Sequence, residues 1–160
     1  MPILARDVMQ SRVVTVEPSL PATELERLLE REGISGAPVI DEGGRLLGVV
    51  SRADLVSAAA GAEDEADSLL AYYEDVAGAA SSRGARAQLA GERIASLRVR
   101  DLVQTELVSV APDTPVQKVA AALAERRIHR VLVVDGERLV GLVSSLDLVR
   151  LLAEGRVVER

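Results

Sequence analysis

The sequence predicts an α+β fold made of two β-α-β-β-α repeats packed about a pseudo-twofold axis, and three observations carry that expectation. Residues 6–56 align with residues 100–149 through one single-residue gap in a turn. Prolines, glycines and aspartates fall in step in the two copies, which shared apolar composition alone would not arrange. Each copy also alternates short β-branched runs with stretches of helical period.

The elements follow in order. Arg6-Asp7 opens the first copy and Arg100-Asp101 the second. Val13–Val16 and Leu107–Val110 read as first strands, and Pro21 stands where a first-turn proline fits, because its missing N–H would be unpaired there anyway. In the second copy Thr114 and Gln117 have the spacing of a capping box. Ala22, Leu25, Leu28 and Leu29 share one helical face, as do Val116, Val119, Ala120 and Leu123. Ala37–Asp41 and Leu46–Val50 form a hairpin across Glu42-Gly43-Gly44-Arg45, a turn that the second copy shortens to Gly136-Glu137. A second helix closes each copy, from about Arg52 to Ala60 and from about Ser145 to Glu154, with Gly61 and Gly155 beyond the ends. A three-stranded sheet with helices on one face leaves apolar surface open, so the copies are expected to cover each other.

This organisation divides the chain into repeat one at 1–61, a partly helical connector at 62–98 and repeat two at 99–160. In the connector, Leu69, Leu70, Tyr73, Val76 and Ala77 allow an amphipathic helix, Gly78–Gly84 reads as a break, and acidic residues precede basic ones.

Composition narrows the chemistry. The 160 residues are 48% hydrophobic and 28% charged, which suits a globular core. Cysteine is absent, which removes disulfides, thiolate metal sites and cysteine nucleophiles together. His129 is the only histidine and Lys118 the only lysine, so no multi-histidine metal site can form and none is expected. With Tyr72 and Tyr73 as the only aromatics, any slot for a nucleobase has aliphatic walls. The net charge of -6 repels a polyanion and disfavours nucleic acid. No apolar run follows a basic start, and none nears the roughly 18–20 residues that cross a bilayer, so neither leader nor membrane segment is expected and a cytoplasmic setting is. Nothing pairs a nucleophile, a base and a metal cluster, so catalysis is not expected.

Two further sets of residues identify a family. Ile34-Ser35-Gly36-Ala37-Pro38-Val39-Ile40-Asp41 with Gly48-Val49-Val50-Ser51-Arg52-Ala53-Asp54, and Ile128-His129-Arg130-Val131-Leu132-Val133-Val134-Asp135 with Gly141-Leu142-Val143-Ser144-Ser145-Leu146-Asp147, resemble a tandem pair of cystathionine-β-synthase (CBS) domains, the Bateman module. The second set is particularly similar to the nucleotide-sensing repeats of the AMP-activated kinase regulatory subunit. The resemblance implies a regulatory module without a cofactor. Each repeat would line a cleft for AMP, ADP, ATP or S-adenosylmethionine and pass occupancy by conformational change to a partner protein. It also implies a homodimer. The alternative is a scaffold with degenerate clefts.

On that resemblance, Thr15, Ile34, Ser35, Ala37 and Pro38 in the first repeat and Ser109 and Ile128 in the second would line the slots. Asp54 and Asp147 would accept the ribose hydroxyls, and Ser51 and Ser144, with the amides of the following helices, would meet phosphate. Helix capping alone also accounts for both Ser-x-x-Asp pairs, each group being worth about 1 kcal/mol or less. His129 and Arg130 would face phosphate, which makes the second repeat the better phosphate reader. The first repeat has Ser35-Gly36 there, with Arg52 as the compensating cation, while the second has Leu132 in place of Pro38.

Overall fold

The β-branched runs and helical stripes form in the order the repeat dictates. The computed structural model describes residues 1–60 and 91–156; the expected connector helix at 69–77 and the break at 78–84 lie outside the described residues. The first repeat contains α1 (Ala5–Val8), α2 (Ala22–Glu32), β1 (Gly36–Ile40), β2 (Leu46–Ser51) and α3 (Arg52–Ala60). The second contains α4 (Val99–Leu102), β3 (Ser109–Val110), α5 (Val116–Arg126), β4 (Arg130–Asp135), β5 (Arg138–Ser144) and α6 (Ser145–Ala153). Among the described residues no helix is long and apolar enough to cross a membrane.

Contacts divide the chain into two compact units, one of Met1–Thr15, Ile40–Leu47 and Glu106–Arg160, the other of Val16–Val39 and Gly48–Thr105. The first is built around repeat two. Its sheet has the order β3-β4-β5, with β3 parallel and β5 antiparallel to β4. Val119 and Leu123 of α5 pack with Val131, Val133 and Val143 of the sheet and with Ala5, all buried. The hairpin tip of repeat one also belongs here: Leu46 donates its amide to the Glu137 carbonyl, and Arg45 pairs with Glu137 at 2.6 Å.

The second unit is built around repeat one. Leu25 and Leu29 of α2, Val39, Val50, Leu55 and Val99 are buried in it, and Leu28 of the expected apolar face is half-buried. Here the sheet is smaller than expected. β1 and β2 form a two-stranded sheet, and the expected strand Val13–Val16 reduces to a single parallel bridge between Val16 and Val39. Proline is the reason. In repeat two the Leu132 amide donates to the Val108 carbonyl at 3.4 Å, but Pro38 occupies the matching position and has no N–H to donate. Only the Val16 amide, bonded to the Pro38 carbonyl at 3.0 Å, remains.

The opening segments are exchanged. Residues at the start of repeat one lie in the unit of repeat two, and the start of repeat two lies in the unit of repeat one. The same bonds recur in both. Gln10 and Leu142 exchange amide and carbonyl at 2.8 and 3.0 Å, and Gln104 and Val49 do so at 2.8 and 3.0 Å. Arg6 donates its amide to the Pro112 carbonyl, and Arg100 to Pro18. The expected capping box at Thr114 and Gln117 does not form, because α5 begins one residue later than that box requires. Pro115 is the N-cap of α5, no side chain caps it, and the free amide of Val116 bonds the Ile3 carbonyl at 2.9 Å. Pro21 is likewise the N-cap of α2, one position before the expected first turn, with extended backbone, and the Ala22 amide bonds the Leu97 carbonyl.

A glycine makes room for each crossing. A Cβ on Gly48 would fall on the Gln104 carbonyl oxygen, and one on Gly141 would lie 2.5 Å from the Met9 sulfur and 3.0 Å from the Gln10 carbonyl oxygen. The glycine shared by both copies before the final strand residues is therefore a place where two backbones touch.

Candidate functional site

Each repeat ends its hairpin in a serine that starts a helix, and the geometry there is duplicated. Ser144 is the N-cap of α6: its hydroxyl accepts the Asp147 amide at 3.2 Å, while Asp147 Oδ2 accepts the Ser144 amide at 2.8 Å and the Ser144 hydroxyl at 2.9 Å. Ser51 and Asp54 do the same at the start of α3, at 3.4, 2.7 and 3.0 Å. The capping role weighed from the sequence is thus realised in both copies, satisfying amides that a helix end leaves free.

Around these caps the structure gathers several of the expected residues. In repeat one the Arg52 amide donates to the Ser35 carbonyl at 2.8 Å, which brings Ser35 and the following Gly36 beside Ser51 and Asp54. In repeat two the Ser145 amide donates to the His129 carbonyl at 2.9 Å, and Arg130 sits opposite Ser144 in the β4–β5 register. His129 and Arg130 are exposed, Ile34 and Ile128 half-buried, Ala37 and Pro38 buried. Ser109 lies on β3, opposite Leu132. Thr15, half-buried, falls in the unit of repeat two, whereas Asp54 falls in the other.

Arg52 lines a different feature. A groove of about 380 Å³ between α2 and α3 is lined by Arg52 together with Glu26, Glu30, Leu55, Val56 and Ile94.

Two residues were passed over in the sequence. Gln104 Nε2 donates to Asp54 Oδ1 at 3.1 Å, and Gln10 Nε2 donates to Asp147 Oδ1 at 3.2 Å and to Oδ2 at 3.4 Å. Each glutamine comes from the opening segment of the other repeat. The signal was present, since Gln10 and Gln104 stand three residues after Asp7 and Asp101 in the aligned copies. Asp147 is 7% exposed, with Arg150 at 3.8 Å as a more distant partner, while Asp54 is half-buried.

Known proteins resemble this chain in sequence and in fold. The uncharacterized protein MJ1426 of Methanocaldococcus jannaschii is 26% identical over 154 residues, covering 94% of this chain and 91% of that protein. The chain spans only 14% of another curated relative, the A-adding tRNA nucleotidyltransferase of Geobacter sulfurreducens, at 27% identity. Among solved structures, the CBS-pair protein CBSX2 from Arabidopsis thaliana matches with a TM-score of 0.73 at 23% identity, covering 99% of this chain and 100% of that one. A structure of CBSX2 in complex with AMP matches at 0.68 and 24% identity, over 96% and 98%. The CBS domain pair of protein MJ0100, in complex with 5′-methylthioadenosine and S-adenosyl-L-methionine, matches at 0.63 and 20% identity, over 97% and 99%. The CBS domain model itself matches residues 5–61 and again residues 99–154. With that model matched once in each repeat, the chain belongs to the CBS domain family.

Proposed function

We propose that this protein is a regulatory, non-catalytic module of the cytoplasm that binds an adenosine-containing ligand, AMP, ADP, ATP or S-adenosylmethionine, and signals occupancy to a partner protein by a change of conformation. The observation that carries the proposal is the duplicated cluster in which a serine and an aspartate converge at the strand end that starts α3 or α6. Helix-start amides suit phosphate, and a carboxylate suits paired sugar hydroxyls. Support comes from CBSX2 in complex with AMP and from the MJ0100 pair in complex with 5′-methylthioadenosine and S-adenosyl-L-methionine. In this proposal His129 and Arg130, exposed beside the start of α6, meet phosphate, and repeat two binds the more highly charged ligand.

Ligand bound to one conformation stabilises it, by about 2.7 kcal/mol at 100 times the dissociation constant. The module also self-associates in this proposal. Leu146, Val149 and Leu152 make an apolar stripe on α6, each more than half exposed, and Val56 on α3 is equally open.

The test is a thermal-shift screen with AMP, ADP, ATP and S-adenosylmethionine, followed by calorimetry on Asp54→Ala and Asp147→Ala. A ligand that raises the melting temperature of the wild type and loses affinity in either variant supports the proposal. One observation favours the second reading, a scaffold with degenerate clefts: both carboxylates already hold serine and glutamine donors. That reading stands if no ligand shifts the melting temperature.

A further inference from the structure

We propose that Gln10 and Gln104 control access to the two carboxylates, each amide side chain having to swing away before a vicinal diol can be gripped. The proposal rests on the reading of Asp54 and Asp147 as sugar acceptors, and it follows from counting donors. A carboxylate offers about four acceptor positions. Asp54 already takes the Ser51 amide, the Ser51 hydroxyl and the Gln104 carboxamide. Asp147 takes the Ser144 amide, the Ser144 hydroxyl and the Gln10 carboxamide, the last shared between both oxygens. A diol brings two more O–H donors, one beyond capacity.

One resident donor must therefore leave, and the side chains differ in how readily they can. The serine donors lie three residues from their aspartate and cap the helix, so losing them frays its first turn. The glutamines are exposed and reach across from another segment, whose backbone stays paired through Gln10–Leu142 and Gln104–Val49 whatever the side chain does. Each glutamine is then a specificity-determining residue. It imposes a penalty on every ligand that uses the carboxylate, which only a ligand with both hydroxyls recovers. The penalty is larger at Gln10, because Asp147 is the more buried acid.

The experiment is calorimetry on the full chain with AMP and with 2′,3′-dideoxy-AMP, comparing the wild type with Gln10→Met and Gln104→Met. Methionine keeps the length of the side chain, and the backbone pairing is untouched. Each variant is expected to bind AMP about three- to tenfold more tightly than the wild type, more so for Gln10→Met, and the gain should vanish with the dideoxy analogue. AMP affinity that is unchanged or weaker in both variants overturns the proposal, as does a gain that persists with the analogue. Asp54→Ala and Asp147→Ala separate the two levels. If they abolish AMP binding while the methionine variants match the wild type, the acids are sugar acceptors and the glutamines are not gates. If the alanine variants bind AMP as the wild type does, or no protein in the set binds it, both ideas fall.

Discussion

The two repeats make the same exchange of opening segments yet differ at three points within their own units. Where repeat one has Pro38, repeat two has Leu132, and the extra amide accompanies a two-residue first strand in place of a single bridge. Where repeat one ends α2 at Gly33, with φ of 63°, repeat two ends α5 at Arg127, with φ of 53°. The acid after the serine is half-buried in repeat one and buried in repeat two. The comparison teaches which contacts the architecture demands. The paired backbone bonds at the Gly48 and Gly141 crossings recur in both copies, whereas strand length and helix end differ, because the sheet and the cap tolerate more than one solution there.

Substitutions can break or sharpen this parallel. The largest effect is expected at the crossings. Gly48→Ala places a methyl against a backbone carbonyl and should cost about 3 kcal/mol, while Gly141→Ala first meets the flexible Met9 side chain and should cost about 1–2 kcal/mol. Urea denaturation of the two variants measures the difference, and equal losses would mean that the Met9 side chain does not give way. Next come the acids. Asp147→Ala removes a cap and a buried acceptor and should cost about 2 kcal/mol, against about 1 kcal/mol for Asp54→Ala, both read from the same denaturation curves without ligand. Arg127→Gly should stabilise by up to about 1 kcal/mol, raising the melting temperature by a few degrees, because glycine adopts positive φ without a Cβ clash. The reverse exchange, Gly33→Ala, should lower it. Smallest is Arg45→Ala, whose exposed ion pair with Glu137 should be worth about 0.5 kcal/mol or less and should weaken further in high salt.

Much of this was legible in the sequence because it is local or repeated. The period of Leu25 and Leu29 or of Val119 and Leu123, the hairpin around Gly43-Gly44 and the Ser-x-x-Asp starts of α3 and α6 each follow from neighbours a few residues away, and duplication raised every signal above chance. What escaped depends on distant chain. Thr114 and Gln117 have the right spacing for a capping box, but α5 starts one residue later, with Pro115 as its N-cap and the amide of Val116 held by the Ile3 carbonyl, more than a hundred residues earlier. Val13–Val16 has the composition of a strand, yet its pairing failed at Pro38, on the other side of a helix. Gln10 and Gln104 carry no motif of their own and acquire a role only when the opposite repeat supplies an acid.

The traded opening segments bear on how such a protein can be cut. A half-length chain holding either repeat with its own first residues would present the amides of Ala22 or Val116 and the inner edge at Val49 or Leu142 without the strands that satisfy them here. Such a fragment is expected to recover those bonds only by borrowing the missing segment from a second molecule.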